Sequence, residues 1–309
     1  MIYDANGSVL YSEKDIYEIP PYWKNHMENK VDTLKANEDA IGSTMAAFIF
    51  ITDPHWSGKN FKKSPHLVRY IQKNYRDIPV FCGGDIISSF NGTKAGAINE
   101  LRNYTKIFRE AADMKIIAIG NHDSNAESSG GSSAPEEAHL SDGDLYNLLV
   151  RQAEDICTTS RDTNGMYFDN PSQRVRYIIA RLEGQNSHNS AVNTYIDALV
   201  SDMPDGWTFV LIVHQTPLIN ASGLNAAKTA GGATNKNGII IAGHEHADAN
   251  GSVGTTIFVR TICDAGGLIS AMKEASTTEQ AFDVVQLDLA NRHAYFTRIG
   301  YGSDRDFAY

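Results

Sequence analysis

Five apolar runs in this 309-residue chain each stop at a residue able to hold a metal ion or a proton, and no other feature limits the fold as tightly. "FIFITDPHW" delivers Asp53 and His55, "VFCGGDII" Asp85, "IIAIGNHDS" Asn121, His122 and Asp123, "VLIVHQ" His214, and "GIIIAGHEHAD" His244 and His246. Runs apolar at every position read as strands buried on both faces. The chain therefore leaves its core at five places and sets a carboxylate, amide or imidazole at a sheet edge each time. A lone Asp or His after a strand is usually a cap or turn residue. Five in succession point to one common destination.

What lies between these runs supports a layered α/β fold. Strands are expected at about 45–52, 79–84 and 115–119, with helices at 64–75 and 95–112 between them, and such alternation favours a sheet with helical crossovers. A helix at 142–157, strands in "GMYFDN" and "RVRYIIARLE" and a helix near 189–202 follow. Strands at 207–214, 238–244, 255–261, 282–289 and 293–299 make the second half strand-rich. The expectation is two sheets packed together and enclosed by helices, in one domain from residue 44 onward.

Ahead of it, residues 1–43 read as an accessory segment. Residues 2–11 alternate around a turn at Asn6-Gly7, and a helix opens after Pro21 and stops at Gly42. Trp23, Met27, Val31 and Leu34 line one face of that helix, which suits either the main domain or another chain in an oligomer. The small polar residues of 124–139 cannot pack a core and are expected to form a loop or lid, or else a solvated linker.

A formal net charge of -10 argues against a general nucleic-acid or anionic-membrane binder, since phosphate backbones are held chiefly by Lys and Arg. The cysteines, Cys82, Cys157 and Cys263, are far apart and lack the spacing of zinc or redox sites. Neither a signal peptide nor a membrane span is expected, and cytoplasmic synthesis is the default.

Carboxylates and imidazoles gathered in a buried place repel one another and lose hydration, and a metal ion supplies the compensating charge. Asp, His and Asn without thiolate suit Mn, Fe or Zn rather than an iron–sulfur or structural zinc centre. The ligands outnumber the needs of one tetrahedral ion. Two divalent ions, about 3.5–4 Å apart as in two-metal hydrolytic sites, are the natural count.

The ordered series D-x-H, G-D, G-N-H-D, H, G-H-x-H resembles the calcineurin-like metallophosphoesterase superfamily from Asp53 to His246. That resemblance implies a four-layer α/β/β/α sandwich of two mixed sheets flanked by helices. It also implies that Asp53, His55 and His246 bind one metal, that Asn121, His214 and His244 bind the other, and that Asp85 bridges both. The implied activity is phosphoester hydrolysis by in-line attack of a metal-bridging hydroxide. His122 then faces the scissile phosphate as a proton donor or charge stabiliser, with Asp123 placed either to orient it or merely to start the next loop.

Departures from the pattern narrow the substrate. The third motif reads GNHD where protein Ser/Thr phosphatases carry GNHE, and "GGDIIS" lacks their acidic and arginine continuation. Lys59, Lys62 and Lys63 read first as a solvated loop and second as contacts for an anionic substrate, and His139 in the lid segment is another candidate contact. The N-terminal arm and helix and the closing "TRIGYGSDRDF" are similar to metallophosphoesterases of phage and prophage tails. By that resemblance a virion protein becomes a partner for the helix, and a cell-wall polymer phosphodiester a substrate class, preferred over a monoester. The alternative is a virion-associated tail or surface-binding module that keeps the fold without turnover.

Overall fold

The structure is a computed structural model describing residues 18–56, 63–112, 116–127, 134–184, 187–230 and 236–309, together with the paired strands β1 (Ile2–Tyr3) and β2 (Val9–Tyr11). Two mixed sheets form its centre. The six-stranded sheet runs β15 (Arg305–Ala308), β14 (His293–Gly300), β13 (Ala281–Asp288), β3 (Met45–Ile51), β4 (Val80–Cys82), β5 (Ile116–Ile117). The seven-stranded sheet runs β11 (Ala249–Val253), β12 (Thr256–Arg260), β10 (Asn237–Ala242), β9 (Thr208–Val213), β8 (Val175–Ala180), β7 (Gly165–Asn170), β6 (Thr158–Ser160).

Strand side chains alternate in direction, and the two directions enter different apolar clusters. In β8, β9 and β10, Tyr177, Ile179, Val210, Ile212, Ile239 and Ile241 pack with Phe48, Phe81 and Val285 of the other sheet. Their neighbours Ile178, Phe209, Leu211 and Ile240 pack instead with α5 (Asn189–Ser201) and α6 (Ala221–Thr229), through Val192, Ile196 and Leu224. Both faces are dry, so the strands run unbroken and apolar from Tyr177, Phe209 and Ile239 to their ends. The other sheet is covered by α1 (Lys24–Ile41), α2 (Ser64–Asn74) and α3 (Lys94–Ala112), which completes the four layers expected of the sequence.

Helix α1 stops where Gly42 adopts a φ of 76°, a left-handed backbone that favours glycine. Its Trp23, Met27 and Leu34 belong to the main apolar cluster, and the Trp23 indole N–H donates to Glu279 at 2.8 Å. The face that could have met another chain is thus occupied by this chain's own sheet.

Some elements differ from their expected form. The helix expected at 142–157 is a short α4 (Asp142–Leu145), a π turn over Tyr146–Val150 and a 3-10 turn over Arg151–Ala153. Ser141 and Asp144 cap its start reciprocally, but no regular turn continues beyond Leu145. Strands β6, β11 and β15 and helix α6 had no counterpart in the sequence reading.

In the first sheet β3, β4 and β5 are parallel, and in the second β8, β9, β10 and β12 are parallel. Ligands in such sheets gather beyond the carboxyl ends of parallel strands. The motifs expected to hold metal follow five of these ends.

Candidate metal centre

Beyond β3, β4, β5, β9 and β10 the expected ligands converge into two triads. Asp53, His55 and His246 form one and Asp85, His214 and His244 the other, with donor atoms in each triad within 4.8 Å of one another. The triads adjoin. Asp85 Oδ2 lies 3.0 Å from His214 Nε2, 3.9 Å from His55 Nε2 and 4.0 Å from His122 Nε2. Asp53 Oδ1 lies 3.4 Å from His246 Nε2 and 3.9 Å from His214 Nε2.

The backbone is bent to achieve this. Five of these residues adopt positive φ: Asp53 at 51°, His55 at 39°, Asp85 at 55°, His244 at 75° and His246 at 52°. Non-glycine residues seldom occupy that region, and those that do cluster at functional sites. Glycines admit the carboxylates. A Cβ on Gly120 would lie 2.2 Å from Asp85 Oδ1, and one on Gly243 would lie 2.2 Å from Asp53 Oδ2.

Each carboxylate is aimed by hydrogen bonds. The Thr52 hydroxyl donates to Asp53 Oδ2 at 2.6 Å and the His244 backbone N–H donates to the same oxygen at 2.9 Å. The His122 backbone N–H donates to Asp85 Oδ1 at 2.8 Å, leaving Oδ2 directed at the imidazoles. With His214 Nδ1 donating to the Gly83 carbonyl at 2.9 Å, its Nε2 is the atom turned to Asp85, buried and without the alignment of a hydrogen bond.

The charges show what the cage lacks. Burial opposes a charge on His214, but Asp85 and Asp53 outweigh it and push the imidazole up to about 10. Burial also raises Asp85, yet His214, His55 and His122 hold it below the usual carboxylate range. Burial dominates at His55, which is pushed down to about 4. Two buried carboxylates thus call for positive charge at their centre. A pair of divalent cations fits this donor set of carboxylate oxygen and imidazole nitrogen.

The family model for calcineurin-like phosphoesterases matches residues 46–248, more than half of the chain and every residue of both triads. The chain belongs to this family. Among solved structures, a dimetal phosphatase from Danio rerio superposes with a TM-score of 0.55 at 14% identity, covering 85% of this chain and 98% of that one. A 5'-nucleotidase from Candida albicans matches with a TM-score of 0.48 at 12% identity, covering 78% of this chain and 48% of that one. No curated protein sequence matches.

Within this calcineurin-like site, Asn121 meets the second triad through Gln215. The Gln215 amide nitrogen donates to Asn121 Oδ1 at 3.1 Å and lies 3.1 Å from His244 Nε2. The sequence reading passed over both Gln215 and Thr52. Their one available signal was adjacency to His214 and Asp53.

The His122 ring meets that of His55 edge to face, with centroids 5.0 Å apart. Its Nδ1 is buried without a hydrogen-bond partner. The Asp123 carboxylate is turned elsewhere: it accepts backbone N–H groups of Gly120 at 2.8 Å, Asp85 at 3.1 Å and Ile86 at 2.7 Å. Its observed partner is the Asp85 loop, and the ring-orienting role gives way to a bracing one.

Lys59 and Lys62 lie outside the described residues. Lys63 caps α2 and its backbone N–H donates to the Gln280 side chain. His139 Nε2 lies 3.1 Å from the Ala134 carbonyl within its own loop. That loop, whose residues 128–133 are also outside the described set, is tied at both ends beside the GNHD motif: Leu140 N–H donates to Ser124 O at 2.8 Å and Asn125 Nδ2 to Ala138 O at 3.1 Å.

Proposed function

We propose that the chain is a dinuclear metal-dependent phosphoester hydrolase. Asp53, His55 and His246 hold one cation in this reading, Asn121, His214 and His244 the other, and Asp85 serves both. The observation that carries it is the placement of Asp85 Oδ2 between His55 at 3.9 Å and His214 at 3.0 Å, one from each triad. Divalent cations bound there supply the charge that acidifies a water near neutral pH and neutralises phosphate oxygens.

The protein groups then have distinct tasks. Asp85 and Asp53 offer oxygens whose directions are preset by backbone N–H groups. His122 stands beside the ligands without being one of them, and its partly exposed ring is the group able to protonate a departing alkoxide or steady phosphoryl oxygens. Such a contribution is worth about 10²–10⁴-fold. Asp123 keeps the Asp85 loop in its left-handed bend.

Mn, Fe and Zn all suit the ligands, and diesters are the first substrate class to assay. The test is turnover of bis-p-nitrophenyl phosphate and p-nitrophenyl phosphate by chelator-stripped protein, before and after each metal is restored. Metal-dependent hydrolysis of either ester supports the reading. Hydrolysis unaffected by stripping, or none with metal restored, overturns it, the latter in favour of a binding module. Release of phosphoglycerol from purified wall teichoic acid tests the polymer substrate separately.

A further inference from the structure

We propose that Arg298 and Arg305 are positioning residues for His246, acting through Asp248. The inference rests on the metal-centre reading above and concerns strands that the family match over residues 46–248 does not reach.

The first triad has one weakly supported member. The Asp53 side chain is 0% exposed and that of His55 4%, whereas that of His246 is 34% exposed, its ring set at the rim against that of His55. Its backbone is also left-handed, at a φ of 52°. Something must hold that bend, and the fixed point nearest in sequence is Asp248, two residues on.

Asp248 is held from several directions. Its Oδ1 accepts Arg298 Nη2 at 2.7 Å, Arg305 Nη1 at 2.7 Å and the Ile262 backbone N–H at 3.0 Å, and its Oδ2 accepts Arg298 Nη1 at 3.1 Å. Both arginines are themselves fixed. Asp283 pairs directly across from Arg298 in the β13–β14 register and accepts its Nε at 2.8 Å, while also accepting Arg305. Arg305 Nη1 donates further to the Arg260 carbonyl at 2.9 Å. The quartet of two arginines and two aspartates is neutral in sum and ties three strands of one sheet to the ligand loop of the other.

Net stability is weak ground for such a cluster, because buried ion pairs can be replaced by well-packed apolar groups with little loss, and in some proteins what they supply instead is fixed geometry. Here the geometry fixed is that of the short stretch from His246 to Asp248. Groups that hold metal ligands in place commonly change metal affinity about 10–100-fold when lost.

The experiment is calorimetric titration of the stripped full-length chain with Mn²⁺. Arg305→Met is placed in two backgrounds, His214→Ala, which leaves the first triad, and His55→Ala, which leaves the second. We expect Arg305→Met to weaken binding roughly 10–100-fold in the first background and less than about threefold in the second. Equal losses in both backgrounds, or no loss in the first, overturn the proposal. Should Arg305→Met fail to fold, Arg305→Lys, which keeps the charge but loses the two-pronged contact, carries the same comparison. Wild-type protein that binds Mn²⁺ but hydrolyses neither ester overturns the hydrolase reading alone, because the affinities here are read without turnover.

Discussion

Each triad has two buried ligands and one half-buried imidazole, and the buried and half-buried imidazoles are held differently. In the second, His214 is wholly buried and its ring is pinned by a single neutral acceptor, the Gly83 carbonyl at 2.9 Å. In the first, His246 is partly in solvent, 3.0 Å from His55 Nε2, and the chain fixes its backbone more than its ring. A ligand inside the sandwich inherits its orientation from packing. A ligand on a loop at the rim needs an anchor of its own, and charged groups can supply one where apolar contacts run out.

Asp85→Asn is expected to erase the distinction, because the carboxylate lying against both triads loses its charge and one of its two oxygens. Turnover should fall to the detection limit and bound metal should drop, as read by ester assay and elemental analysis. His122→Ala should spare both triads while lowering kcat by about 10²–10⁴-fold. Unchanged metal content with that loss separates proton transfer from ligation.

Asp123→Ala bears on both triads through the Asp85 loop. It leaves backbone donors of Gly120, Asp85 and Ile86 without their acceptor and should cost about 3 kcal/mol in urea unfolding. A loss below about 1 kcal/mol would show that the loop does not depend on this brace.

The smallest expected effect lies behind the first triad. The Asp264 backbone N–H donates to the Thr52 carbonyl at 2.9 Å, and burial pushes the Asp264 carboxyl up to about 7 despite hydrogen bonds from Ser64, Ala281 and Gln280. A carboxyl that keeps its proton more firmly when folded stabilises the fold fully below its ordinary value of 3.8, and that contribution is lost as pH rises through about 7. Asp264→Asn should flatten the dependence of melting temperature on pH across this window. A slope unchanged by the substitution would place the titrating group elsewhere.

The parallel strands and their terminal ligands could be read from the sequence because burial on both faces leaves an unbroken apolar run, and because the break in that run marks the site. Strand β11, "ANGSV", has no such pattern, since it lies at the edge of its sheet with alternate residues exposed. Strand β15, "RDFA", is polar in sequence because Arg305 is spent on Asp248 and Asp283. Asp123 shows the limit most plainly. Apart from the Gly120 N–H, its partners are backbone N–H groups of a loop some 37 residues earlier, and residue types cannot announce a bond to the main chain.

The account stands or falls on the count of cations. Equilibrium titration of stripped wild-type protein with Mn²⁺, followed by elemental analysis, should give two ions per chain, with ester hydrolysis returning as they bind. A single ion, no ion, or binding left intact by Asp85→Asn would contradict it.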